Sequence, residues 1–168
     1  MQDFVHLHVH TQYSLLDGQA SVARLVDKAM KNGMKGIAVT DHGNMFGIKE
    51  FTNYVNKKNS GPKGEVKDLK KRIAGIEAGT IECEDKEAEI AACKAKIVEA
   101  ENKLFKPIIG CEMYVARRTM DLKEGKPDQS GYHLIVLAKN EIGYHNLIKL
   151  VSHAWTRGYY MRPRTDRS

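Results

Sequence analysis

Histidine occupies every second position of the segment His6-Leu7-His8-Val9-His10, and no other stretch of the chain restricts its fold as much. Successive side chains of an extended strand point to opposite faces. The three imidazoles then share one side, and Val5, Leu7 and Val9 share the other, which can pack on an apolar layer. Crowded imidazoles repel one another when protonated and fill a hydrophobic layer poorly. Neutral, they are favoured donors for zinc and related divalent ions. A polar strand face or a purification-tag remnant also groups histidines, but a tag does not interleave them with Val and Leu.

The next residues sharpen this reading. Thr11 to Gly18 form a polar loop carrying Asp17. Ser21 is a suitable N-cap for a helix whose Leu25, Val26, Ala29 and Met30 form an apolar stripe, with Gly33 at its C-terminal end. Gly36-Ile37-Ala38-Val39-Thr40 reads as a buried strand ending in Asp41-His42-Gly43. In a strand–helix–strand unit the parallel strands end at the same sheet edge, where ligands bind in barrel and open α/β folds. His8 and His10 are thereby expected beside Asp41 and His42.

Two further runs carry candidate ligands. Glu112 interrupts the apolar stretch from Pro107 to Val115, and a buried carboxylate is costly unless it meets a cation. Tyr132 to Ala138 is apolar on both faces, as parallel strands are. His133 stands at its start and Asn140 just beyond its end, so strand direction alone favours Asn140 near the site over His133.

The segments HLHVHTQYSLLDG, AVTDHGNMFG, KPIIGCEMYVA, HLIVLAKNEIGYHNLIKL and RGYYMRPRTD occur in that order. Together they resemble the PHP (polymerase and histidinol phosphatase) domains found at the N-terminus of bacterial DNA polymerase III alpha subunits. The likeness covers nearly the whole chain apart from residues about 59 to 105. It implies an α/β fold, a distorted (β/α)7 TIM-like barrel binding up to three zinc or manganese ions at the strand C-termini. Carried over, His8, His10, Asp17, His42, Glu112 and His133 are the metal ligands, with His6, Asp41 and Asn140 near them. The same likeness implies metal-dependent phosphoester hydrolysis, as a 3′–5′ proofreading exonuclease or a pyrophosphatase. It also implies a place in DNA replication, with DNA, a proofreading exonuclease subunit and the sliding clamp as partners of the full polymerase.

Such barrels run to roughly two hundred residues or more, so residues 1–168 are expected to be an incomplete N-terminal part of the domain. Later ligand motifs and the polymerase domains would lie outside it, leaving the fragment with weak hydrolysis and no nucleotidyl transfer. Exposed strand edges of a partial barrel favour dimerisation. Two other readings stand beside this one. A stand-alone PHP metallophosphatase would share the HxH and TDH motifs but not the HLIVLAKN and RPRTD segments. A non-catalytic scaffold of the polymerase would keep those segments with its metal ligands replaced.

The chain carries a net charge of +6, and residues 106–168 hold 11 basic against 6 acidic side chains. That third is the candidate for contact with nucleic acid phosphates. Within it Arg162 and Arg164 can hold phosphate through their planar donor forks, and Tyr159 and Tyr160 can stack a base. Cys83, Cys93 and Cys111 form no CxxC pair, which indicates neither a disulfide framework nor a structural zinc site. The absence of a long apolar run gives no membrane span and a cytoplasmic expectation.

Residues 63–104 read as a helical insertion within the domain. Leu69, Ile76, Cys83, Ile90, Ile97 and Leu104 recur at a heptad interval, marking helix with a narrow apolar seam. One continuous helix of this length would extend about 60 Å and carry the chain away from its next strand. The spacing therefore predicts an antiparallel hairpin with its break between Gly79 and Asp85.

Overall fold

The computed structural model describes residues 4–129 and 131–167. The chain divides into two compact units, Val55–Phe105 and the remainder. The larger unit is mixed α/β, with helix α1 (Val22–Lys31), strand β1 (Gly36–Val39), the start of α2 (Ile48–Lys58), β2 (Lys106–Val115), a single turn α5 (Lys126–Gln129), β3 (Tyr132–Leu137), α6 (Glu141–Thr156), β4 (Tyr159–Tyr160) and β5 (Arg162–Thr165). The smaller unit holds α3 (Ser60–Glu77) and α4 (Lys86–Asn102).

The long strand β2 organises the sheet. β1 pairs parallel to its first half, Gly36 to Val39 against Lys106 to Ile109, and β5 pairs parallel to its end at Tyr114 and Val115. Between those two strands the parallel edge continues through a bridge from His42 to Glu112. β3 takes the other edge of β2 and runs antiparallel, with Tyr114 opposite His133 and Gly110 opposite Leu137.

That direction differs from the parallel strand expected of residues 132–138. A parallel return needs a crossover, usually a helix, over the sheet face. Among the described residues between 116 and 131 the one helical piece is the four-residue turn α5, and the chain doubles back. Gly131 makes the reversal possible, because a Cβ there would collide with the Val115 carbonyl. The expected burial of both faces of this strand is not met either, since Tyr132 and Leu134 remain more than half exposed.

The HLHVH segment is likewise not a strand. It runs alongside β1 through two backbone bonds, Ala38 N–H to His6 O and Thr40 N–H to Val9 O. The Val9 N–H turns instead to the Thr40 side-chain oxygen at 2.9 Å, which interrupts a ladder. Leu7, expected on the buried side, is half exposed.

The core of the larger unit follows the apolar pattern closely. Ser21 caps α1, whose Val22, Val26 and Ala29 are buried, and all four residues of β1 are buried. Cys111 and Met113 of β2 pack with Leu147, Val151 and Ala154 of α6. Met113, Leu147 and Val151 each contribute about 1.5–3 kcal/mol by leaving water.

In the smaller unit α3 and α4 are joined by a turn over residues 78–85, where Gly79 adopts a positive φ. Asn59 ties the two ends together: its amide donates to Phe105 O at 2.8 Å and accepts from Phe105 N–H at 2.9 Å. Ile76 is buried in α3, but in α4 the buried positions are Cys93 and Ala100. Small side chains thus complete the seam of α4, where Ile90 and Ile97 of the heptad are only half-buried.

Candidate metal centre

Glu112 is the focus of the site. It lies in the middle of β2, one of the buried charged residues of the larger unit, at the level where the chain leaving β1 bridges it. Its Oε2 is 3.0 Å from His8 Nε2 and 2.7 Å from His10 Nε2. Its Oε1 is 2.8 Å from His133 Nδ1 and 4.0 Å from His42 Nε2. Four imidazoles from three segments therefore converge on one carboxylate.

The antiparallel β3 accounts for His133. The first residues of β3 lie against the end of β2, which brings His133 to Glu112. Asn140 falls at the opposite end of the strand, where its side chain accepts from Gly143 N–H and caps α6. The expectation that Asn140 stands near the site is corrected by the strand's direction. His6 also stands apart from the donor groups, its ring edge-on to Phe4 at 4.7 Å, because the irregular segment does not keep strict alternation.

Behind the imidazoles, Asp17 meets their other nitrogens. Its oxygens lie 3.0 Å from His10 Nδ1 and 2.9 Å from His42 Nδ1, and it also accepts from Ser14 Oγ. A carboxylate on Nδ1 fixes the tautomer and leaves Nε2 with its lone pair toward the site. Asp17 is thereby placed on the outer nitrogens of the ligand candidates rather than in either donor group with Glu112. Asp41 is fully buried and accepts from Thr11 N–H at 2.6 Å and Thr11 Oγ at 2.8 Å. It locks the residue after His10 to the residue before His42.

The electrostatics fit this layout. Burial works against ionisation of Glu112, but the hydrogen bonds from His8 and His10 and the field of His42 hold its carboxyl below the usual range. Burial likewise opposes ionisation of Asp17, yet bonds from Ser14, His42 and His10 hold it far below that range. Desolvation lowers the basicity of His10, while Asp17 and Glu112 outweigh it and raise its pKa. Burial raises the Asp41 pKa. Glu112 and Asp17 thus keep their charge, and His10, between them, holds its proton more tightly than a free imidazole.

Does this donor set suit a cation? His8 Nε2 and His10 Nε2 are 3.0 Å apart, and only one of them can donate a proton to the other. A tetrahedral ion with bonds of about 2.0–2.1 Å to nitrogen spaces its ligands by about 3.3 Å, close to the separations among His8, His10 and Glu112. His42 Nε2 is buried and has no hydrogen-bond partner among the described residues. Its donor atom groups with those of Glu112 and His133, all within 4.8 Å of one another. The nitrogen and carboxylate donors present fit a divalent ion at two overlapping positions that share Glu112.

Tyr114, not singled out by the sequence, stacks on His42 at 4.2 Å and 15°. The available signal was its position two residues beyond Glu112, on the same strand face. Arg162 lies over the Tyr114 ring at 5.8 Å and is exposed. Arg164 is the reverse case. It is fully buried, and its Nε, Nη1 and Nη2 donate to the backbone carbonyls of Gly158, Asp128, Met120 and Leu122. A guanidinium buried and held by four backbone carbonyls is not presented to a phosphate, so Arg164 drops out of the expected pair and Arg162 remains the candidate.

A histidine-rich donor cluster centred on a buried strand carboxylate is what a metal-dependent α/β phosphoesterase domain presents. Residues 6–168 match the family model described as PHP domain, and the chain belongs to that family. Over 98% of its length it is 41% identical to the DNA polymerase III subunit alpha of Borreliella burgdorferi, and over 97% it is 40% identical to that of Treponema pallidum. The same subunit of Aquifex aeolicus is 33% identical. The chain spans about a tenth of the length of these curated relatives. No helix among the described residues is long and apolar enough to cross a membrane.

Proposed function

We propose that this chain is the PHP region of a replicative DNA polymerase alpha subunit and that its donor cluster holds divalent ions for phosphoester hydrolysis. The observation that carries the reading is Glu112 ringed by His8, His10, His42 and His133, with a buried His42 nitrogen left without a hydrogen bond. A non-catalytic scaffold would have no need of four imidazoles on a buried carboxylate. Similarity to polymerase subunits over almost the whole chain favours the polymerase branch over a free-standing metallophosphatase.

Each residue then has a role. His8, His10 and Glu112 hold one ion, and His42, Glu112 and His133 hold a second. A divalent ion held there supplies Lewis-acid polarisation of a phosphoryl group. Asp17 keeps His10 and His42 in the ligating tautomer. Tyr114 supports the His42 ring, and Arg162, over Tyr114, offers its donor fork to phosphate oxygens. Hydrolysis of a DNA 3′ end or of pyrophosphate is the chemistry this set serves. Zinc and manganese are the ions proposed, with DNA and the other replisome subunits as partners in the cytoplasm.

Metal content by mass spectrometry on tag-free protein tests this directly. Near-stoichiometric zinc or manganese is expected in the wild type and its loss in His8→Ala/His10→Ala. A folded wild-type protein that takes up neither metal overturns the reading.

A further inference from the structure

Asp17 and His42 also line a second feature, an open cleft of about 200 Å³ whose far wall is aromatic. Trp155 and Tyr159 stack there with ring centroids 5.6 Å apart and 21° between planes, and Phe46 lies 6.3 Å from Trp155. All three rings are more than two-fifths exposed, an uncommon state for large aromatic side chains placed side by side. The shelf is fixed relative to the donor cluster, because the Trp155 indole N–H donates to the Gly43 carbonyl at 2.8 Å, one residue beyond His42. Across the cleft Arg162 reaches over Tyr114. Between Tyr159 and Arg162 the chain turns at Met161, whose φ of 62° lies in the left-handed region. Side chains with a Cβ enter that region at a cost, and such strain gathers at ligand clamps.

We propose that this shelf is a nucleobase subsite, which takes the terminal nucleotide of a single strand with its base on Trp155 and Tyr159. The phosphate then lies toward Arg162 and the donor cluster, a placement that rests on the phosphoesterase reading, whereas the stacking does not. The cleft is smaller than the roughly 300–1,000 Å³ of drug-sized ligand sites, which suits one base. A bare sugar phosphate would call for hydroxyl-binding polar groups; Ser14 and Asn44 line the cleft but are engaged with Asp17, the His42 N–H and carbonyl, the Tyr13 carbonyl and the Phe46 N–H, and the far wall offers exposed π-faces. The basic excess of residues 106–168 complements a polynucleotide backbone. This geometry makes strand ends, rather than small phosphoesters, the preferred substrate class of the site.

Trp155 is the single tryptophan of the chain, so its emission reports on the shelf alone. The full chain is titrated with a short oligothymidylate, and separately with an abasic strand of equal length, in a chelating buffer. Saturable quenching by the oligothymidylate is expected, with roughly 5- to 150-fold weaker binding of the abasic strand. Tyr159→Leu and Phe46→Ala weaken binding of the oligothymidylate by the same order with unchanged far-ultraviolet circular dichroism. Arg162→Gln weakens both strands alike and flattens the salt dependence. Equal affinity for both strands overturns the proposal. So does unquenched emission, including emission that shifts with protein concentration because another copy covers the shelf. Metal content is measured on the same preparation before chelation. Quenching in protein that takes up no metal refutes only the phosphoesterase reading, and metal-loaded protein without quenching refutes only the subsite.

Discussion

Replacing Arg164 with methionine should separate the structural arginine from the exposed one. Its guanidinium donates from Nε to Gly158 O at 3.1 Å, from Nη1 to Asp128 O at 2.8 Å, and from Nη2 to Met120 O at 2.8 Å and Leu122 O at 3.0 Å. Those carbonyls belong to the connection between β2 and β3 and to the turn after α6, so one side chain fastens both to β5. A hydrogen bond from a charged donor contributes about 1.5–3 kcal/mol, and four simply added would approach the whole stability of a unit this size. The connection can relax, and Leu122 is only partly buried, so water recovers some of the loss. The expected cost of Arg164→Met is therefore about 3–5 kcal/mol. With a urea slope of about 1.5 kcal/mol/M, the unfolding midpoint should fall by about 2–3 M. Arg164→Lys keeps the charge without the planar fork and should fall between, while Arg162→Met should stay within about 0.5 kcal/mol of wild type. An Arg164→Met protein that unfolds at the wild-type urea concentration would refute the reasoning, as would a larger loss from Arg162→Met.

Three further outcomes are expected. Gly131→Ala puts a Cβ into the Val115 carbonyl, so it should cost about 1–3 kcal/mol and, by shifting the start of β3, reduce metal uptake together with thermal stability. Asn59→Ala strands the Phe105 N–H and C=O, both buried, and should cost about 2–4 kcal/mol, read as faster amide exchange in α3 and α4. Asp128, buried beneath Arg118, has its carboxyl held below the usual range first by the Arg118 hydrogen bond and then by Glu124 N–H. A depressed folded pKa stabilises above the unfolded value and is lost as pH falls. The melting-temperature gap between wild type and Asp128→Asn should therefore be full above about pH 5 and narrow below about pH 4. A gap that stays constant down to pH 3 would contradict this.

Where burial and period were strong, the fold was legible. The α1 stripe, the all-apolar β1 and the break between α3 and α4 follow from patterns local to each segment, and local energetics decided them. Departures arose where a long-range partner decided. Whether residues 4–10 join a ladder depends on Thr40 taking the Val9 N–H, and alternation within the segment carries no information about that. The seam of α4 relies on Cys93 and Ala100, which a search for large apolar residues passes over. Arg164 looked like a phosphate ligand because residue type reveals donor capacity, whereas occupancy of those donors depends on carbonyls up to 44 residues away in sequence.

The site was legible by chemistry more than by geometry, and β3 shows why. Apolar character on both faces argued for a parallel strand, which would carry His133 away from Glu112 and bring Asn140 toward it. Yet Asn140 precedes the periodic run of α6 and has a better use as its N-cap, accepting from Gly143 N–H at 2.9 Å. An imidazole at the first turn into a strand has no comparable local role. If each polar residue is assigned to the place where its desolvation is best offset, Asn140 goes to the helix start and His133 to the buried carboxylate. Both assignments hold together only when β3 runs antiparallel to β2. The demand of Glu112 for partners thus carries directional information that hydrophobic pattern lacks. The same reasoning applies to Asp17, whose two oxygens are engaged on Nδ1 of His10 and His42 and so aim both Nε2 atoms at Glu112. Asp17→Asn should accordingly lower metal affinity by about 10- to 100-fold while leaving the unfolding midpoint nearly unchanged. Metal uptake equal to wild type would show that the rings are held by packing on Tyr114 and His133 rather than by the carboxylate.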